Sequence, residues 1–172
     1  MAASGQLHVL PTETYFTIVR QMLDENGQAG VRVTGMSMWP ILYHMRDSVV
    51  ISKPAETGVH VGDIVLFDRR NGRYALHRVI HKGKTCFAMA GDHQWYIDRR
   101  LPYEQIVGVV TQINRNGRWL KRGNPFVKCY GFVVTVLTEP RIFLWKMVRG
   151  FRSLFVHMHA GESSMVERRQ SR

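Results

Sequence analysis

With 172 residues, 45% of them hydrophobic and 22% charged, the chain has a globular composition and enough length for one good core. Its 24 Lys and Arg against 13 Asp and Glu leave a formal net charge of +11, an excess that asks for an anionic partner, nucleic acid or membrane. Two cysteines, Cys86 and Cys129, exclude a disulfide framework and lack metal-type spacing, so idle or buried thiols are expected, with no cofactor and no metal.

The first residues, Met1 to Gly5, carry no basic segment followed by an apolar one, so no secretory signal is expected. From Thr12 to about Glu25, Tyr15, Ile18, Val19, Met22 and Leu23 recur at helical spacing, with Thr12 as N-cap and a loop over Asn26 to Gly30. Val31 to Val33 alternates as a half-buried strand does and leads into a turn, Gly35-Met36-Ser37-Met38-Trp39-Pro40. Further strands are predicted over Arg46 to Ser52, Ile64 to Phe67, Tyr74 to His81, Thr85 to Ala90 and Ile106 to Ile113. Arg70-Asn71-Gly72-Arg73 reads as a hairpin turn, and Gly91 through Arg100 as a loop leading to a turn over Pro102 to Gln105. Asn116-Gly117 leads on to Arg118-Trp119-Leu120. Short strands joined by Gly and Asn turns, without alternating helices, predict an all-β barrel-like or sandwich-like domain.

After Gly123-Asn124-Pro125 the character changes, and basic residues thicken from Arg115 onward. From Pro140 to about His159 a helical projection gathers Phe143, Leu144, Met147, Val148, Phe151, Leu154, Phe155 and Met158 on one side. Arg141, Lys146, Arg149, Arg152 and His157 fall on the other. Such a basic amphipathic helix serves either to pack on a core or to lie in a membrane interface. The polar stretch from Gly161 to Arg172 reads as disordered. The apolar window around Gly131 to Leu144 is cut by Glu139-Pro140-Arg141, so no transmembrane helix is predicted. The expected divisions are 1–30 (helix and loop), 31–123 (β domain), 124–160 (basic amphipathic segment) and 161–172 (tail).

Chemistry concentrates in four blocks. Ser37 sits in its turn; Val61-Gly62-Asp63-Ile64-Val65 precedes an apolar strand; His77 stands in the middle of Tyr74 to Ile80; Asp92 and Asp98 bound an acidic loop. A serine hydroxyl becomes a useful nucleophile only when a base takes its proton, and histidine, with a free pKa of about 6.5, suits that task. A carboxylate then orients the ring and stabilises the imidazolium. Asp92 and Asp98 can each fill that place.

These blocks, in this order, resemble the catalytic domain of the type I signal peptidases and their relatives, the self-cleaving SOS-type repressors. The resemblance covers roughly Val31 to Ile113. Gly35 to Pro40 is similar to the nucleophile box, Gly62-Asp63-Ile64-Val65 to the strand before the base, and Ile106 to Val110 to the closing strand. A histidine at position 77, where many members have lysine, resembles the archaeal and endoplasmic-reticulum branch. Gly91-Asp92-His93-Gln94-Trp95-Tyr96-Ile97-Asp98-Arg99 is similar to that branch's acid loop, which implies Asp98 as the third member and Asp92 as a supporting acid.

The resemblance implies a serine endopeptidase with a Ser37–His77 dyad assisted by Asp98. Gly35, Met36, Met38 and Pro40 would contact an extended peptide with small residues beside the cleaved bond, such as a leader or signal-like peptide. Two alternatives come from other classes. One is a regulatory domain that cuts itself, since Ala29-Gly30 resembles the bond that the repressors cleave. The other is an inactive module that binds an anionic membrane surface through Arg141, Lys146, Arg149 and Arg152. No aromatic-and-basic strand motif is present, so no specific nucleic acid is expected. The expected location is the cytoplasm or the periphery of a membrane.

Overall fold

Antiparallel pairing organises the chain, seen here as a computed structural model that describes residues 12–70 and 73–170, without side chains at 56–57 and 151–170. Helix α1 (Thr12–Asn26) is followed by β1 (Gln28–Arg32), β2 (Ser48–Ser52), a single turn of helix α2 (Pro54–Thr57), β3 (Ile64–Asp68), β4 (Tyr74–Lys82) and β5 (Cys86–Ala90). After these come β6 (Asp98–Pro102), a 3-10 turn (Tyr103–Gln105), β7 (Ile106–Arg115), β8 (Arg118–Lys121) and the long helix α3 (Pro125–Gln170). The eight strands form one sheet in the order β1-β2-β7-β3-β4-β5-β6, with β8 added on β7. The protein is thus mainly β with a helix at each end of the described chain.

Alternation along β3 explains why the sheet has a core on both faces. Ile64 and Leu66 point into one cluster, with Val19 and Leu23 of α1, Met38 and Leu42 of the serine turn, and Leu76. Val65 and Phe67 point into the other, with Val79, Phe87, Met89 and Val109. A strand buried on both faces reads as a continuous apolar run, as Ile64-Val65-Leu66-Phe67 does. Strand β7 holds the middle: its first half lies between β2 and β3, its second between β2 and β8.

Several boundaries depart from expectation. The loop after α1 shrinks to Gly27, whose N–H returns to the Leu23 carbonyl at 3.1 Å, so β1 begins at Gln28 and pairs with β2 along its length. Stretch 98–102, expected as loop, is strand β6, paired with β5 through Cys86↔Pro102, Phe87↔Leu101 and Met89↔Asp98. Its side chains are half-buried or exposed, so no hydrophobic alternation announces it. Arg69 N–H donates to the Arg73 carbonyl at 2.7 Å across the β3–β4 turn, whose expected tip, Asn71-Gly72, lies outside the described residues, as do residues 1–11. Cys86 is half-buried and Cys129 exposed, and they are unpaired.

The C-terminal segment departs most. Helix α3 starts at Pro125, fifteen positions before the expected start, because Asn124 caps it: its Oδ1 accepts the Phe126 N–H at 2.9 Å, and Pro125 occupies the first turn, where a missing N–H costs nothing. Pro140 lies inside the helix, and the backbone stays helical through 161–170, which was expected to be disordered. Of the two uses open to the apolar face, its described part does not take the first. Val127, Tyr130, Thr138 and Ile142 meet the β domain, while Phe143, Leu144, Met147 and Val148 face outward. The continuation of that face from Phe151 to Met158 lies outside the described side chains. Among the described residues no helix is long and apolar enough to cross a membrane.

Candidate active site

The serine turn is held at both ends before its chemistry begins. Met38, Ile41 and Leu42 are buried in the core and anchor the turn from below. Trp39 N–H closes a turn on the Met36 carbonyl at 3.1 Å, and the Trp39–Pro40 peptide is cis. Gly35 has a φ of +89°, a left-handed conformation that glycine adopts without strain, and its N–H donates to His44 Nδ1 at 2.8 Å. Ser37 itself is half-buried. Its hydroxyl donates to the Leu76 carbonyl at 3.5 Å, so it rests against β4 one residue from His77 and shares no hydrogen bond with that ring. Its N–H has no acceptor among the described residues, which leaves it able to receive a developing oxyanion.

Asp47, which carried no expectation, ties this turn to the sheet. The side chain is fully buried, and its oxygens accept from the Tyr43 N–H at 2.7 Å, the Asn116 N–H at 3.0 Å and the Arg46 guanidinium. Burial pushes its carboxyl up, but those hydrogen bonds outweigh it and hold the group below the usual carboxylate range. Asp47→Ala strands two backbone donors and should cost about 2–4 kcal/mol in urea unfolding. A carboxyl with a lowered folded pKa stabilises above its unfolded value of about 3.9 and loses that contribution as the pH falls through the folded one. The wild-type chain should therefore lose stability steeply below about pH 4, and Asp47→Asn should flatten that slope.

His77 is placed by register. It lies opposite Val65 on β3, is 1% exposed, and sits with its ring centroid 5.3 Å from that of Phe67. Val79, two residues on and on the same face, is paired with Met89 of β5, which is paired in turn with Asp98 of β6. This cross-strand row brings the Asp98 carboxylate back to His77, with Oδ2 2.9 Å from Nδ1, a close contact whose geometry falls short of a hydrogen bond. The same oxygen accepts from Arg69 Nη2 at 2.7 Å, and Arg69 also reaches the Tyr96 hydroxyl at 3.2 Å. Burial pushes the Asp98 carboxyl up, but the neighbouring His77 ring, with the charge and hydrogen bond of Arg69, holds it below the usual range. Asp98 is therefore an anion beside the imidazole. Arg69 was not singled out from the sequence; only its nearness to the hairpin marked it.

Asp92 goes elsewhere. Arg78 follows His77 and so points to the opposite face of β4. Its Nε and Nη2 take both oxygens of Asp92 at 2.8 and 2.7 Å, and Nη1 donates to the Gly62 carbonyl at 2.6 Å. The pair is buried, with side chains 2% and 1% exposed. Tyr130 of α3 lies under the Arg78 guanidinium, with its ring centroid 5.5 Å from the guanidinium carbon, and burial together with the charge of Asp92 raises its phenol well above the ordinary range. The expected supporting acid thus faces Arg78 and Tyr130, and the two acids of the loop serve opposite faces of one strand.

The acid loop is pinned from three directions. His93 N–H donates to the Ser37 carbonyl at 2.8 Å. Gly91 passes so close that a Cβ there would lie 2.6 Å from that same carbonyl oxygen, which only glycine allows. From α3, Arg141 donates to the carbonyls of Asp92 and Gln94 and stacks over Trp95, and Trp145 stacks on Trp95. Arg99, next to Asp98 in the chain, pairs with Glu139 of α3 at 3.0 Å.

Of the expected substrate contacts, Met36 is exposed and Gly35 and Pro40 lie at the surface, whereas Met38 is 2% exposed and belongs to the core. Trp39, Tyr43, Trp95 and Tyr96 are also exposed on the serine turn and the acid loop; the sequence assigns them no role, because an isolated aromatic in a loop carries no periodic signal. A cavity of about 570 Å³ opens instead at the foot of α3, among Arg78, Val110, Ile113, Arg122, Lys128 and Phe132, and takes in none of Ser37, His77 and Asp98. A family model described as Peptidase S24-like matches residues 1–111. No curated protein is similar enough to count as a relative. The match takes in Ser37, His77 and Asp98 and stops inside β7, before β8 and α3.

Proposed function

Because the chain belongs to the Peptidase S24-like family, and so to serine peptidases of the self-cleaving repressor kind in the broad sense, we propose that it is an endopeptidase acting through Ser37, His77 and Asp98. The observation that carries this reading is the 2.9 Å contact between buried His77 Nδ1 and the Asp98 carboxylate, on the strand whose Leu76 carbonyl holds the Ser37 hydroxyl. With Nδ1 turned to Asp98, Nε2 is the nitrogen left to accept a proton. The Ser37 hydroxyl leaves Leu76 by rotation about one side-chain bond and attacks the peptide carbonyl while its proton passes to Nε2. The Ser37 N–H receives the oxyanion. The imidazolium returns the proton to the leaving amine, and water, activated by the same nitrogen, hydrolyses the acyl-enzyme. Catalytic hydrogen bonds often form only in the substrate complex, so a resting Ser37 hydroxyl on the Leu76 carbonyl is compatible with the role. The substrate is a leader or signal-like peptide bound in extended form.

Self-cleavage at Ala29–Gly30 is the second reading. That bond lies within β1, with Ala29 opposite Ile51 and Gly30 opposite Val50 in the ladder, and Ala29 is 2% exposed. Reaching Ser37 would require β1 to leave the sheet, which favours cleavage in trans. A serine-directed phosphonate probe tests both nucleophile and activity: one adduct is expected, mapped to the peptide holding Ser37 and absent in Ser37→Ala. Failure to label the folded chain overturns the peptidase and leaves a binding module. An intact mass that shortens at residue 29 on incubation, in wild type and not in Ser37→Ala, overturns the trans reading alone.

A further inference from the structure

Helix α3 turns the wrong face outward for a protein in water. Phe126, Phe132, Val133, Val136, Leu137, Phe143, Leu144, Met147 and Val148 are between 45% and 69% exposed. At 100° per residue they spread over about 160° of the helix surface, along more than six turns. The opposite side, with Val127, Thr138 and Ile142, is already packed on the β domain. An apolar stripe of this length exceeds what monomeric proteins leave in contact with water, and it marks a docking surface.

Charge selects the occupant. Between residues 125 and 150 there are four cations, Lys128, Arg141, Lys146 and Arg149, and one acid, Glu139. Lys128 and Lys146 fall along one edge of the stripe and carry no ion pair among the described residues, while Glu139 is taken by Arg99. A second copy seated on this stripe would bring lysine against lysine with no acid to answer it. The stripe is also broader than the narrow seam of a paired coiled coil. An apolar face edged by lysine on a chain of net charge +11 matches the boundary between headgroups and acyl chains of an anionic bilayer. Of the cations that the sequence offered for this contact, Arg141 is drawn inward to the acid loop, Arg149 lies over the Trp145 ring and Arg152 lies outside the described side chains, so among the described residues the edge consists of Lys146 and of Lys128, which the sequence did not single out for it.

We propose that α3 lies flat on anionic membrane surfaces through the stripe from Phe126 to Val148, with Lys128 and Lys146 at the headgroups. The test uses the full chain carrying Ser37→Ala, so that it reports on docking whether or not the peptidase reading holds. It should co-sediment with vesicles of phosphatidylcholine containing phosphatidylglycerol, weakly with phosphatidylcholine alone, and less as salt rises. Phe143→Asp with Leu144→Asp, both at exposed positions and so compatible with an unchanged melting curve, should lower the partition coefficient about tenfold or more. Lys128→Glu with Lys146→Glu should remove the preference for anionic lipid. Absence of binding to the anionic vesicles, or binding indifferent to the paired aspartates, overturns the proposal. A concentration-dependent dimer abolished by the paired aspartates, without vesicle binding, overturns it in favour of a second copy.

Discussion

Substitution of His77 by alanine is expected to abolish both turnover of a peptide substrate and acylation of Ser37 by the probe, with a loss on the order of 10⁴-fold. The chain should remain folded, because a ring of this size removed from beside Phe67 costs a cavity and not a framework hydrogen bond. The diagnostic pattern is non-additivity: Ser37→Ala and the double variant with His77→Ala should be equally inactive, since the base has nothing to do without its nucleophile. Asp98→Asn, which keeps the shape and removes the charge beside Nδ1, should fall between wild type and His77→Ala, mostly in kcat. Equal rates in wild type and His77→Ala would overturn the mechanism, and single-turnover cleavage of a fluorogenic peptide is the measurement.

The second large effect is on stability. Asp92→Ala leaves the Arg78 guanidinium buried with its principal counter-charge gone, a change that costs about 3–5 kcal/mol in comparable buried pairs. Against a total of roughly 5–15 kcal/mol for a domain, the variant should melt on the order of 10 °C lower. The informative comparison is Arg78→Met with Asp92→Leu. Two apolar side chains of similar volume need no counter-charge, so the double variant should recover most of the loss although both polar partners are gone. A double variant as unstable as Asp92→Ala would mean that the pair's links to Gly62 and Tyr130 matter more than the buried charge.

What could be read from the amino acids divides along physical lines. Strands with strong apolar character, such as Ile64 to Phe67 and Tyr74 to His81, announce themselves, and so does the order of serine, histidine and acid. The choice between Asp92 and Asp98 does not follow from composition or spacing, because it depends on which face of β4 each reaches. That is fixed by the Val79–Met89–Asp98 row, a property of strand register. Strand β6 and Asp47 escaped for a related reason: one is a polar strand at the sheet edge, the other a buried acid whose partners lie as far off as Asn116. For α3, periodicity found an apolar face but not its direction. Gly131, Thr138 and Arg141, which face the β domain, look less like a packing surface than the residues left outside.

Arg141 carries one more implication, which concerns time. The loop that bears Asp98 is complete in sequence by residue 100, but the carbonyls of Asp92 and Gln94 are capped by a guanidinium 49 and 47 positions later. Chains are made from the N-terminus, so the loop that bears Asp98 is synthesised before the residue that fastens it. A chain that stops short of Arg141 therefore has its serine, its histidine and its acid, but lacks the cap that joins the acid loop to the helix carrying the outward stripe.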